Sequence, residues 1–459
     1  MFCLLDANNF YVSCERRFNP RLERRAVVVL SNNDGCAIAR SDEAKALGIQ
    51  MGEPYFQIRQ RFTEQECIAL SANFALYADM SSRLMGEAAA LGDRQEVYSV
   101  DECFLDMQGI PGDLRRRGWV MRQRILKRLG LPCGIGIGQT KTLAKLANHI
   151  AKSAARKPGS YPAELAHVCN LAALPTSTVT ALMQATHVSD VWGIGRRLSE
   201  QLEAVGVRTA WEFFCMDSRL VRQRWGVMLE RTLRELQGQS CLVLEDVPRQ
   251  KQEIACTRSF GQAVTQLSSL EQAITDFTCR AAEKLRKQGS LAGQIHVFCS
   301  TSSHRQGKQY HGAVTVRLPV ASQNSLELTA AALKGLATIF KSGYAYARAG
   351  IMLLDLQDAY EPIGTTRVAP NMVTPVQQQL SLWSHNDEAQ PYDARTDTNK
   401  SKAADLMRTL DGINQRFGRG TIQLGSAGTI HQHKDWEMRQ QHRSPQYTTS
   451  WCDIVRATA

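Results

Sequence analysis

The sequence predicts a multidomain α+β protein, and three observations carry that expectation. At 459 residues the chain is longer than one ordinary core organises, which points to three or four domains. Short apolar runs of strand character interleave with helical stretches over residues 1–165 and again over 251–355, while 171–236 reads as all-helical. Hydrophobic residues make up 43% of the chain and charged residues 22%, an ordinary globular balance. No run of eighteen apolar residues offers a membrane span.

The elements follow in order. Phe2-Cys3-Leu4-Leu5 ahead of Asp6 is a continuous apolar run, the signature of a strand buried on both faces. Ala26-Val27-Val28-Val29-Leu30 is a second, ended by the turn residues Ser31-Asn32-Asn33-Asp34-Gly35. Ser41 to Leu47 reads as a helix stopped by Gly48. Glu96 to Val100 and Cys103 to Asp106 are two strand-like stretches parted only by Asp101-Glu102, which implies a tight hairpin or a strand bent at an acidic pair. An Arg-rich helix from Leu114 to Leu129 precedes the strand Cys133 to Ile137 and a helix from Thr140 to about Ala151. The helical stretch 171–236 is broken at Gly193-Ile194-Gly195. Beyond it, strands at Ile295–Cys299, Ala313–Leu318 and Gly350–Asp355 alternate with helices at Ser269–Lys287 and Ser325–Lys341. Val373 to Lys402, rich in Gln, Pro, Asn, Asp and Thr, reads as a flexible linker.

Net charge is +11 and unevenly spread. Residues 1–165 carry 23 basic against 18 acidic side chains, and residues 241–355 carry 13 against 8. Residues 166–240 and 356–459 are near balance. Two separated basic blocks suit a polyanion gripped from two sides. The 13 cysteines contain no CxxC pair, so reduced thiols packed as small hydrophobes are expected. Met1-Phe2-Cys3-Leu4-Leu5-Asp6 has no basic leader and reads as neither a signal nor a transit peptide, so a cytoplasmic chain with no membrane partner is expected.

Asp6 ends a buried strand and Asp101-Glu102 sit at a strand turn. Carboxylates there are costly to desolvate unless a cation compensates them. Hard oxygen ligands select Mg²⁺, and a pair of such ions can activate a hydroxyl and neutralise a leaving pyrophosphate. By spacing alone, solvated turn acids are the commoner reading of such residues. Gly134-Ile135-Gly136-Ile137-Gly138 lacks the GxxxxGK[ST] spacing of a phosphate loop, and its isoleucine alternation fits a buried strand.

These segments carry a resemblance. Leu5-Asp6-Ala7-Asn8-Asn9-Phe10-Tyr11 and Tyr98-Ser99-Val100-Asp101-Glu102 resemble the two acidic motifs of Y-family DNA polymerases. Gly134 to Ala147, ending Leu143-Ala144-Lys145-Leu146-Ala147, is similar to that family's next motif. Ser31-Asn32-Asn33-Asp34-Gly35, Ala39-Arg40 and Glu43-Ala44-Lys45-Ala46-Leu47-Gly48 resemble its UmuC branch, the catalytic subunits of bacterial polymerase V and their plasmid-borne relatives. The similarity extends through Val191 to Leu198, Lys251 to Ile254 and Ser444-Pro445-Gln446-Tyr447-Thr448-Thr449.

The resemblance implies a right-hand polymerase performing error-prone translesion synthesis in the SOS response to DNA damage. A ferredoxin-like palm would span 1–15 and 70–165, small fingers 16–69, and a helical thumb 166–240. An α+β little finger would span 241–355, a linker 356–402 and a C-terminal segment 403–459. Asp6, Asp101 and Glu102, with the Ala7 carbonyl, would hold two Mg²⁺ ions, and the three acids would be catalytic. Tyr11 matches the steric gate against a ribose 2′-hydroxyl. Phe10, Lys45 and Lys152 would contact the incoming dNTP, with Lys45 where arginine is common. Asp42 stands where relatives outside the branch place a phosphate-binding tyrosine. Ile38 and Ala39 would roof the nascent base pair.

Val191 to Arg197 resembles a helix-hairpin-helix. Gly193 and Gly195 would let backbone amides approach a DNA phosphate beside Arg196 and Arg197; a plain glycine loop is the alternative. Gln379-Leu380-Ser381-Leu382-Trp383 resembles a sliding-clamp-binding peptide, or is an isolated apolar island. The UmuC branch implies primer-template DNA, a UmuD′-like dimer, the RecA filament and the sliding clamp as partners. No second acidic constellation suggests a proofreading nuclease. The competing functional readings are a non-catalytic DNA-binding scaffold of a repair complex and another two-metal phosphoryl-transfer enzyme on a palm-like fold.

Overall fold

The computed structural model describes residues 1–64, 66–245, 249–303, 307–359, 394–418, 420–428 and 436–454. The chain divides into two units: Met1–Pro248 together with Gln440–Ala459, and Arg249–Arg439.

The first unit opens with β1 (Phe2–Ala7), whose six residues are all buried. Apolar side chains without alternation fit that placement, because β1 is a central strand covered on both faces. A left-handed Asn9 turns the chain into α1 (Phe10–Phe18). Then come β2 (Val27–Leu30) and β3 (Ala37–Arg40), followed by α2 (Asp42–Ala46), capped by the Ser41 hydroxyl. After α3 (Tyr55–Glu64), β4 (Ile68–Ser71) pairs in parallel with β2 to complete a small sheet of order β3-β2-β4. Asn73 caps α4 (Phe74–Ala88).

β5 (Gln95–Val97) and β6 (Glu102–Asp106) form the hairpin around the acidic pair. α5 (Leu114–Leu129) starts at an Asp113 cap and stops at left-handed Gly130. β7 (Cys133–Gly138), α6 (Lys141–Arg156) and β8 (Val168–Asn170) follow. The main sheet has the order β5-β6-β1-β7-β8, so its last strand lies beyond residue 165. Five helices complete this part of the chain: α7 (Thr176–Ala185), α8 (Arg196–Glu203), α9 (Ala210–Phe214), α10 (Ser218–Trp225) and α11 (Val227–Leu236).

In the second unit, β9 (Ile254–Val264), α12 (Leu267–Gln288), β10 (Ser290–Thr301), β11 (His311–Ser322), α13 (Ser325–Ile339) and β12 (Tyr346–Asp358) build an antiparallel sheet of order β11-β10-β12-β9. Phe277, Leu285, Leu328 and Leu336 of the two helices join Ile295, Val297 and Tyr346 in its core. The opposite face of the strands carries His296, Phe298, His311 and Arg348, with the Arg348 guanidinium 5.6 Å from the Phe298 ring. A further helix, Ala394–Phe417, belongs to this unit, and the Arg286 fork holds its Asp411 at 2.6 and 2.8 Å. Among the described residues no helix is long and apolar enough to cross a membrane.

Candidate active site

Antiparallel pairing of β1 with β6 sets Asp6 directly opposite Glu102. The Ala7 amide donates to the Asp101 carbonyl at 2.9 Å, which draws the third acid to the same sheet end. Two acids adjacent in sequence and one about ninety-five positions away thus meet through strand register.

The other side of the site is built by α6. Gly134, Gly136 and Gly138 leave β7 without side chains on the face that α6 covers. A Cβ on Gly136 would lie 2.2 Å from the Asn148 backbone nitrogen and 2.3 Å from the Ala144 carbonyl oxygen. The glycine alternation is therefore what lets the helix sit against the strand. It puts Asn148 and Lys152 over Asp6. The Asn148 amide donates to Asp6 Oδ2 at 3.0 Å, and the Lys152 ammonium pairs with the same oxygen. One turn before Asn148, Lys145 Nζ pairs with Glu102 Oε2 at 2.7 Å, with its ammonium 4.6 Å from the Tyr98 ring centroid, 5.8 Å from Phe104 and 5.7 Å from Trp192.

Burial pushes the Asp6 carboxyl up to about 6; the Lys152 charge opposes this and the Glu102 carboxylate adds to it. Burial also raises Asp101, against a hydrogen bond from Ser99 and together with the charge of Asp6. The acids are thus crowded and under-solvated, a state that a cation relieves. Among the described residues no three His, Cys, Asp or Glu side chains form a ready-made metal cage. The donor chemistry nonetheless fits a hard divalent ion, and the lysine ammoniums on Asp6 and Glu102 supply positive charge where one would sit.

A cleft of about 650 Å³ opens from these acids, within the usual size of a small-ligand site. The expected site residues Phe10, Tyr11, Ile38, Ala39, Lys45 and Lys152 all line it. Tyr11 stacks on Tyr77 with ring centroids 4.4 Å apart. Lys45 pairs with Asp42 at 2.9 Å and its ammonium also donates to Asn9. Arg156 approaches Asp42 from α6 at 3.8 Å. Burial works against the Asp42 charge, yet hydrogen bonds from Lys45 and Asn9 and the charges of Lys45 and Arg156 hold its carboxyl below the ordinary value. Asp42 is thus neutralised locally by its cationic neighbours.

The sequence reading missed Arg40, Ser153, Arg156 and Lys157 on the cleft wall. It also passed over Lys145 and Asn148 as partners of the acids. Helical spacing was the available signal, since 141, 145, 148, 152 and 156 form one stripe of α6. Gly193 adopts φ +95° and Gly195 caps α8, with Arg196 and Arg197 exposed beside them. The arm before this turn is a single 3₁₀ turn, Val188–Asp190. Gln379, Leu380, Ser381, Leu382 and Trp383 lie outside the described residues.

Comparison with known proteins gives this geometry a family. Residues 5–149 match the impB/mucB/samB family and residues 251–364 match its C-terminal domain. The protein UmuC of Salmonella typhimurium is 40% identical across 99% of this chain and the whole of that protein. The protein MucB of Escherichia coli is also 40% identical, over the full length of both. The chain belongs to the impB/mucB/samB family. It is a Y-family DNA polymerase of the UmuC branch, a DNA-directed enzyme of error-prone translesion synthesis. The fold agrees. A Y-family DNA polymerase chimera superposes with a TM-score of 0.59 at 17% identity, over 78% of this chain and 99% of that one. The insertion ternary complex of Dbh DNA polymerase gives 0.51, also at 17% identity, with the same coverage. Residues 404–457 match a domain of unknown function.

Proposed function

We propose that the cleft between the acids and Tyr11 is the nucleotidyl-transfer site, in which a primer 3′-hydroxyl attacks the α-phosphate of a dNTP. The observation that carries this reading is a single cleft lined by the acids Asp6, Asp101 and Glu102, by the cations Lys45, Lys152 and Arg156, and by the Tyr11 ring. Asp6, Asp101, Glu102 and the Ala7 carbonyl would hold two Mg²⁺ ions. Bound there, the ions would make the attacking hydroxyl more acidic and offset the charge of the leaving pyrophosphate. Lys152 and Lys45, with Arg156, would take the triphosphate, and Phe10 and Tyr11 would lie along its sugar. Tyr11 would exclude a 2′-hydroxyl by occupying its space. Ile38 and Ala39, small or half-buried, would roof the base pair and leave room for a damaged template base.

With the boundaries given above, the palm would take the main sheet apart from β8, the fingers most of the small sheet, the thumb the helical run, and the little finger the β9–β12 sheet with α12 and α13. Gly193, Gly195, Arg196 and Arg197 would hold a DNA phosphate without reading sequence. Phe298 and Arg348 on the open sheet face suit a nucleic-acid backbone equally. The clamp peptide at 379–383, a UmuD′-like dimer and the RecA filament would be partners in an SOS-induced, nucleoid-associated complex.

Primer extension with Mg²⁺ and dNTPs on undamaged and damaged templates, partners included, tests the reading. Asp101→Asn should lower extension by at least about 100-fold with an unchanged circular dichroism spectrum. Extension at the wild-type rate would reject the metal assignment and favour the scaffold role.

A further inference from the structure

Tyr11 sits on α1 with Tyr77 of α4 stacked behind it at 15° between ring planes and Phe74 edge-on at 88°. Tyr77 is itself 1% exposed, and its hydroxyl donates to Glu15 Oε1 at 2.7 Å. Glu15, one turn beyond Tyr11 on the same helix, is also 1% exposed. A buried carboxylate needs more than one donor, and the second comes from the far end of the chain. Ser444 Oγ donates to the same Glu15 oxygen at 3.0 Å.

Ser444 is itself pinned. Asn73 Nδ2 donates to Ser444 Oγ at 3.0 Å and to the Pro445 carbonyl at 3.0 Å. Ser71, the last residue of β4, donates its amide to the His442 carbonyl at 3.0 Å, and its hydroxyl accepts from the His442 amide at 2.9 Å. Gln440 Nε2 donates to the Ala72 carbonyl at 3.0 Å, and Tyr447 stacks on Phe18 at 5.0 Å. Residues 440–447 therefore run as a strap over the end of β4, the start of α4 and the far side of α1. They lie inside the domain of unknown function.

A gate that rejects one oxygen atom must not yield when that oxygen presses on it. Tyr11 can be no stiffer than the ring behind it, and the Tyr77 ring is held by a hydrogen bond to a carboxylate that the strap completes. We propose that the C-terminal strap is a positioning element for sugar discrimination: Ser444, through Glu15 and Tyr77, fixes the Tyr11 ring against the incoming sugar. The proposal rests on Tyr11 being the gate.

The measurement is the ratio of kcat/KM for a dNTP to that for the matching rNTP, in the full-length polymerase. Loss of folded protein lowers both numbers alike and leaves the ratio unmoved. Tyr11→Ala sets the scale by abolishing discrimination. Tyr77→Leu, which removes the backing ring, should lower the ratio by about 10- to 100-fold, the consequence of roughly 1 Å of lost positioning. Tyr77→Phe and Ser444→Ala remove one hydroxyl each and should each lower it by a smaller factor, with the double variant no worse than either single one. Glu15→Gln keeps an acceptor oxygen for both donors and should retain the wild-type ratio. If Tyr11→Ala loses discrimination while Tyr77→Phe and Ser444→Ala retain it, the strap does not position the gate and the inference is wrong. If Tyr11→Ala itself leaves the ratio unchanged, Tyr11 is no gate and both readings fall.

Discussion

Replacing Gly136 by alanine adds one methyl group between β7 and α6, at the point that seats the helix over Asp6. The new Cβ would stand 2.2 Å from the Asn148 nitrogen and 2.3 Å from the Ala144 oxygen, whereas unstrained heavy-atom separations begin at roughly 3.5 Å. Both neighbours are backbone and cannot rotate away, so α6 must retreat by about 1 Å. Overpacking of this kind costs about 3 kcal/mol, the upper part of the usual range. The same retreat carries Asn148 and Lys152 off Asp6 and should slow nucleotide addition by about 100-fold. Urea midpoints and single-nucleotide primer extension, measured side by side, check both parts. Gly86→Ala is the matched control. Gly86 lies within α4, and nothing stands within 4 Å of its added Cβ. There the same change should stabilise by about 0.5–1 kcal/mol. A Gly136→Ala enzyme with the wild-type midpoint and wild-type extension would refute the account of how the site is assembled.

Lys145→Met removes the ammonium from Glu102 and from among Tyr98, Phe104 and Trp192; nucleotide addition at saturating dNTP should fall by about 10- to 100-fold, read by rapid quench. Arg196→Ala and Arg197→Ala alter exposed side chains, so stability should hold while the slope of log affinity for primer-template against log salt falls by about 0.9 for each phosphate no longer neutralised. Deleting Gln379 to Trp383 should cut clamp-stimulated synthesis by an order of magnitude or more and spare clamp-free synthesis; equal stimulation of both forms would remove the peptide from clamp binding. Burial raises the Glu15 carboxyl above its ordinary 4.5, partly offset by hydrogen bonds from Tyr77 and Ser444. A folded-state value above the unfolded one means stability present below about pH 4.5 and lost as pH rises. Glu15→Gln cannot titrate, so its urea midpoint should match wild type in acid and exceed it at pH 8.

Much of the fold was legible because the strongest elements are local patterns. The expected Arg-rich helix and α5 share the bounds Leu114–Leu129, since an aspartate cap and a terminal glycine mark both ends. Phe2 to Asp6 and Cys133 to Ile137 read as strands because continuous apolar runs have few other uses. The reading passed over α1, β3, α3, β4 and α4, although Asn9 and Asn73 mark the starts of α1 and α4. Leu380 and its neighbours remain an expectation.

The site divides in the same way. Local sequence dictates which acids end which strands, that Tyr11 follows Asp6 by one turn's reach, and that glycines alternate along β7. Each of these is written within a few residues of chain. Only the tertiary structure decided that Asn148, Lys152 and Lys145 partner the acids, that Arg156 neutralises Asp42, and that Ser444 meets Glu15 across more than four hundred residues. Such pairings depend on strand register, on the distance at which a helix seats on a sheet, and on chain closure. A local pattern can permit those long-range arrangements, but it does not specify them.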